Sequence, residues 1–191
     1  MGLVAQNLGP SDQTAITTLG PEIIRTLRTI SGTIRAGNAA SQTWFGDNGA
    51  AWIQELKRKL NRMASVINLQ SIAVHGSELN RRGGGTYAAA QRPAGGWGDY
   101  TSVSASQGQN FHMRLDNNWN NSPLYATATN ADSKFQTLVH ELTHLILDTE
   151  DEEYDGEDAY GVAACQGLAA DDPATAKTNA DNWGYFVESF R

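Results

Sequence analysis

Cysteine is almost absent from this chain. Cys165 is the one thiol in 191 residues, so no internal disulfide can form, and the stapling typical of oxidising compartments is excluded. Positive charge is also scarce: 14 Lys and Arg stand against 21 Asp and Glu, a net charge of -7. A phosphate-backbone partner needs clustered basic side chains that displace counterions, so nucleic acid is excluded as a ligand. No stretch approaches the ~18 apolar residues of a membrane span. The first twenty residues hold no basic region followed by an apolar core, and Gln6 stands where an acylation signal carries Ser or Thr. The expectation is a protein with no membrane span and no lipid anchor, working in a reducing environment.

What is present is enough to fold. Hydrophobic residues make up 40% of the chain, with 5 Trp, 6 Tyr and 5 Phe, while 19 Gly imply many loops. The length suits one domain over residues 1–191, with residues 1–40 as a candidate helical extension, and a monomer is expected. Apolar positions at helical spacing run through residues 11–36, with Gly20-Pro21 read as a break between two pieces. A second helix follows Asn48 as its cap, with Trp52, Leu56, Leu60 and Met63 forming a core stripe. "SIAVHG", "TYAAAQ" and "NFHMRLD" read as short strands, the first two flanking the turn Gly83-Gly84-Gly85. Helical patterns return at 133–147, about 157–169 and 173–190, the last opened by Asp172 and Pro173. Helices, a small strand group and helices again define an α+β class, with the sheet expected to be mostly antiparallel.

Acid is concentrated in one place. Eight of the 21 acidic residues fall between Asp148 and Asp158, a local negative field that attracts cations or basic peptides. Immediately before it, "SKFQTLVHELTHLIL" opens with Ser133 followed by Gln136, a capping box, and so reads as a helix. On that helix His140 and His144 are one turn apart and point the same way, a pincer for Zn²⁺, with Glu141 placed to take a proton from the attacking water. The surrounding Leu138, Val139, Leu142, Leu145, Ile146 and Leu147 make the helix apolar and buried, where three titratable groups need a partner such as a metal. A hydrolytic zinc site has three protein ligands and an open position. Glu150 stands where a third histidine would continue the pattern, and the acidic loop offers several carboxylates instead. Calcium is disfavoured there, because "DEEYDG" is followed by Val162 where a calcium loop needs a bidentate Glu.

Three stretches in order, "HELTH", "DTEDEEYD" and "NADNWGYF", resemble the aspzincin zinc metalloendopeptidases of deuterolysin and peptidyl-Lys type. That family carries HExxH, then G-T-x-D-x-x-Y-G, then a helix with N-A-D followed by aromatics. The resemblance covers roughly residues 111–190 and implies a zincin-like fold. It implies His140, His144 and Asp151 as zinc ligands, Glu141 as general base and Tyr154 as a hydrogen-bond donor to the oxyanion. Asp148 and Asp155 replace the bracketing glycines, and a second register ending at Tyr160-Gly161 would put Glu157 in the ligand slot. Asp181 falls where the peptidyl-Lys branch binds lysine, although Gly184 stands in place of that branch's second acid.

The resulting expectation is a zinc-dependent endopeptidase with protein or peptide substrates and some preference for basic residues. By analogy with zincins, "NFHMRLD" is the strand along which substrate would lie. The lack of disulfides and of a signal peptide sets the further expectation of a bacterial effector or toxin exported by a non-classical route, or a cytoplasmic enzyme. The rival is a non-catalytic acidic metal-binding domain for a basic protein partner. His75 and His112 read as ordinary strand residues, and Cys165 as packed in a helix.

Overall fold

The apolar spacing of residues 16–34 builds one helix, not two. In the computed structural model, which describes residues 2–76, 87–91, 111–128 and 131–191, α1 runs unbroken over Pro10–Thr33 with Pro21 inside it. Pro21 forfeits one intrahelical hydrogen bond. The buried stripe of Ile16, Leu19, Ile23, Leu27 and Ile30 nevertheless continues across it, and packing of that stripe against α3 (Ala50–Leu69) outweighs the local break. Leu3, from the preceding strand, lies 3.5 Å from where a Cβ on Gly20 would stand. Residues 1–40 are therefore tied to the rest of the fold: β1 (Gly2–Gln6) is a sheet strand. The short helix α2 (Ala39–Phe45) follows α1, capped by the Asn38 side chain. Gly49, rather than Asn48, is the N-cap of α3, and Asp47 accepts its N–H at 2.8 Å.

The strands β2 (Ser71–His75), β3 (Ala88–Gln91) and β4 (Phe111–Leu115) fall where sequence placed them, but the sheet is not mostly antiparallel. Its order is β1-β2-β4-β3, with β1, β2 and β4 mutually parallel and only β3 antiparallel, to β4. The α1–α3 segment carries the chain from β1 back to a parallel neighbour, as a helical crossover requires. β4 lies between β2 and β3, so those two do not pair; the expected Gly83-Gly84-Gly85 turn lies outside the described residues. β4 alternates in burial, with Phe111, Met113 and Leu115 facing the core. His75 and His112, on neighbouring strands, meet at 3.0 Å.

Helix α4 (Lys134–Leu147) packs against α7 (Ala180–Glu188), α3 and β3. Ser133 caps it by accepting the Gln136 N–H at 3.0 Å. Beyond a loop, β5 (Glu153–Tyr154) and β6 (Glu157–Asp158) form a two-stranded hairpin, so the helix expected from about 157 begins only at α5 (Gly161–Asp171). The pattern at 173–190 divides into α6 (Pro173–Ala176), capped by Asp172, and α7. One hydrophobic cluster joins α1, α3, the sheet, α4 and α7, from Leu8 to Val187. Cys165 is fully buried on α5, as expected.

Candidate metal centre and its cleft

Helical geometry alone places His140 and His144 on one face of α4, with ring nitrogens Nε2 3.0 Å apart. The third corner comes from the loop after the helix. Asp148 ends α4 in the left-handed conformation, φ 59°, which Asp tolerates in place of the usual Gly. The chain then turns back so that Asp151 Oδ1 lies 3.2 Å from His140 Nε2 and 3.3 Å from His144 Nε2. A backbone bridge holds this loop: Glu150 N donates to Thr178 O and Ala180 N to Glu150 O, both at 3.0 Å.

The three atoms form a nearly equilateral triangle. Adjacent ligand atoms of a tetrahedral zinc site lie about 3.3 Å apart, and an ion at about 2.0–2.1 Å from each corner would sit about 1 Å out of the plane, leaving one side open. The residues fit the group, and His140, His144 and Asp151 are the one such cluster among the described residues. Both imidazoles are also oriented for it. His140 Nδ1 donates to Asp181 Oδ1 at 2.7 Å, and His144 Nδ1 donates to Thr149 O at 2.7 Å. Fixing each Nδ1–H in this way leaves Nε2 as the lone-pair donor.

The electrostatics agree. Burial would push the His140 imidazole down, but Asp151, Asp181 and Glu141 around it raise it well above the ordinary histidine value. Burial also works to raise the Asp151 carboxyl, yet His140 and His144 hold it far below the usual range. Glu141 is 4% exposed, and desolvation raises its carboxyl. The backbone N–H of Ala90, on β3, is hydrogen-bonded to it.

A cleft of about 510 Å³ opens beside His140 and Glu141, with Ala88, Thr137, Gln136, Asp132 and Tyr160 among its walls. Two expected site residues are placed differently from the sequence reading. The Tyr154 hydroxyl donates to Asp171 at 2.8 Å, and its ring stands 2.6 Å from where a Cβ on Gly167 would lie. It anchors the hairpin on α5, and the tyrosine of this segment that lines the cleft is Tyr160. The Tyr160 ring centroid is 6.2 Å from that of His140. Its hydroxyl is raised well above the ordinary value by burial and by Asp151.

The reason is the hairpin. Asp155 and Gly156 both have positive φ, 56° and 82°, the two-residue turn that Asp-Gly favours. Residues 153–158 therefore form an insert between Thr149-x-Asp151 and Tyr160-Gly161. Asp151, which meets the histidine pair, falls in one register and Tyr160, which lines the cleft, in the other, and Glu157 lies exposed on β6. Gly161, φ 83°, donates its N–H to Asp181 Oδ2 at 3.0 Å.

Asp181 is the second such residue. Its carboxylate lines the cleft but is committed to the protein, accepting from His140 Nδ1, from Gln136 Nε2 at 2.7 Å and from Gly161 N. One of these contacts fixes the orientation of the His140 ring. The strand beside the cleft is also β3 rather than β4: β3 is the sheet edge, Ala88 lines the cleft, and β4 is interior. Asn179 and Asn182, buried in the "NADNW" stretch, were not assigned roles from sequence. Asn179 accepts from Glu152 N at 3.1 Å and donates to Ala159 O at 3.1 Å, while Asn182 donates to Trp44 O and Cys165 O. Asn179 thus ties both ends of the hairpin segment to the start of α7, while Asn182 ties α7 to α2 and α5.

These features agree with comparisons to known proteins. The sequence profile of the aspzincin family, described as lysine-specific metallo-endopeptidase, matches residues 33–188, and the chain belongs to this family. It is 40% identical over 63 residues to a peptidyl-Lys metalloendopeptidase of Armillaria mellea, and 44% identical over 64 residues to that of Grifola frondosa. An extracellular protease of Aeromonas hydrophila is 41% identical over 66 residues. These matches cover 33–34% of this chain and 17% of each relative, so the matched part is about a sixth of their length. The fold is similar to that of a zinc peptidase from Grifola frondosa, with a TM-score of 0.69 and 23% identity over 95% of this chain and 97% of that one.

Proposed function

We propose that this chain is a zinc-dependent endopeptidase acting on protein or peptide substrates. The observation that carries the reading is the closed triangle of His140, His144 and Asp151 with buried Glu141 beside it, at the mouth of a cleft. Zinc held by these three residues supplies Lewis acidity toward a carbonyl oxygen and toward water.

The chain's own groups do the rest. Glu141 takes the proton of the attacking water and passes it to the leaving amine, a role for which burial and the Ala90 N–H keep it in place. Tyr160 donates a hydrogen bond to the oxygen on which charge develops, replacing Tyr154 in that role. Asp181 and the Thr149 carbonyl keep the two imidazoles aimed through Nδ1. The outer edge of β3 takes the substrate as an added antiparallel strand, which brings the scissile bond past Ala88 and Ala90 toward Glu141.

Metal analysis joined to casein digestion, with and without a chelator, tests this. About one zinc per chain and chelator-sensitive cleavage are expected. Zinc retention without cleavage would favour the metal-binding domain for a basic partner.

A further inference from the structure

We propose that His75 and His112 form a second metal site, on the outer face of the sheet, for a divalent transition-metal ion of the copper or nickel kind. The inference goes beyond the peptidase reading and stands apart from it. The chain has four histidines. His140 and His144 belong to the candidate metal centre on α4, and the fold brings the other two together as well.

Strand alternation sets this second pair apart from the core. On β2, Ile72 and Val74 are buried in the hydrophobic cluster, and on β4 so are Phe111, Met113 and Leu115. His75 and His112 are out of phase with these residues, so both side chains leave the opposite face of the sheet. β2 and β4 are parallel neighbours, with His75 level with Arg114 and His112 level with Ala73. Ala73 adds only a methyl group, and the two rings meet across the diagonal. They stack with planes 20° apart and centroids 5.2 Å apart, and His75 Nε2 lies 3.0 Å from His112 Nδ1.

Two neutral imidazoles in this contact share one proton as N–H···N. A metal ion can take the place of that proton. The accepting ring already carries its own proton on the far nitrogen, and the donating ring moves its proton there through solvent. Both rings stay neutral, no proton is lost, and both near nitrogens present lone pairs.

The separation favours a particular geometry. Bonds of about 2.0–2.1 Å to nitrogens 3.0 Å apart subtend about 95° at the ion, below the roughly 109° of a tetrahedral zinc site. That is the angle between adjacent ligands in tetragonal or octahedral coordination, which suits Cu²⁺ and Ni²⁺. Gln6, level with His75 on β1, places a carboxamide one strand away on the same face, and water can fill the other positions. Arg114 Nη2 is paired with Asp116 Oδ2 at 3.4 Å, which offsets its charge beside the ion.

Titration of the zinc-loaded chain with Ni²⁺, read by native mass spectrometry and thermal unfolding, tests the assignment. Wild type should take up about one nickel per chain beside its zinc and unfold at a higher temperature, because the ion ties β2 to β4 in the folded state alone. His75→Gln and His112→Gln each remove one donor, and each should weaken nickel binding at least about ten-fold with zinc content unchanged. Absence of nickel uptake by the wild-type chain overturns the proposal and leaves the pair as a hydrogen bond. Uptake matched by loss of zinc, or equal nickel affinity in both variants, overturns it too.

Should neither variant fold, the wild-type chain decides. Cu²⁺ added to the zinc-loaded chain should give an electron paramagnetic resonance spectrum of a tetragonal ion split by two imidazole nitrogens. Zinc retained in the same sample assigns those nitrogens to His75 and His112, since the chain's other two histidines hold the zinc. A spectrum from oxygen donors alone overturns the assignment.

Discussion

Asp181 Oδ1 lies 2.7 Å from His140 Nδ1, and the same oxygen accepts from Gln136 Nε2 at 2.7 Å. On the proposed reading, a residue expected to bind substrate supports His140. Removing such a support typically weakens metal binding about 10–100-fold. Asp181→Ala should therefore lose zinc to a chelator at a correspondingly lower concentration. Wild-type zinc affinity in that variant would return Asp181 to a substrate role.

The third ligand is tested by a pair of variants. Asp151→Ala should release zinc readily, since one of three donors is gone. Glu157→Ala should keep it, because β6 holds that side chain at the surface. Zinc content after gel filtration in a chelating buffer separates the two outcomes.

Tyrosine placement gives the sharpest contrast with the sequence reading. Tyr160→Phe should lower kcat roughly 10²–10³-fold with little change in KM, as expected for a donor that meets charge only in the transition state. Tyr154→Phe should cleave normally, having lost only the hydrogen bond to Asp171. The reverse pattern would put Tyr154 back at the oxyanion.

How much of this was legible follows physical lines. The histidine pair and its helix depend on spacing within one turn, and the Ser133 cap and apolar stripe marked them. Asp151 was legible through its place after Thr149. Tyr160 was legible only as the end of a second register that carried Glu157 with it, because a hairpin separates it from Asp151; the Asp155-Gly156 dipeptide between short strand-forming pairs was the available signal. Sheet order was hidden because the pairing of β2 with β4 joins residues about forty positions apart and leaves no local pattern. The surroundings of Asp181 were not legible, since Gln136 and Gly161 reach it only once α4, α5 and α7 pack together.

Glu188 sets a pH dependence away from the metal. Burial is the largest influence on its carboxyl and raises it above 4.5, although Ala126 N and Ser133 Oγ donate to it. With the folded value above the unfolded one, its contribution to stability is fully present below about 4.5 and is lost as pH rises through the folded value. Glu188→Gln should flatten the decline of Tm with rising pH in that window. An unchanged slope would contradict the assignment.

The central claim is that Glu141 moves the proton while His140, His144 and Asp151 hold the metal. Glu141→Gln leaves the three ligands in place, so the variant should retain about one zinc per chain. Without the proton carrier, casein cleavage should fall by about 10²–10⁴-fold or more. The direct measurement is zinc content and initial rate on the same preparation of that variant. Full zinc with near-complete loss of cleavage is the predicted result; full zinc with wild-type cleavage would contradict the account.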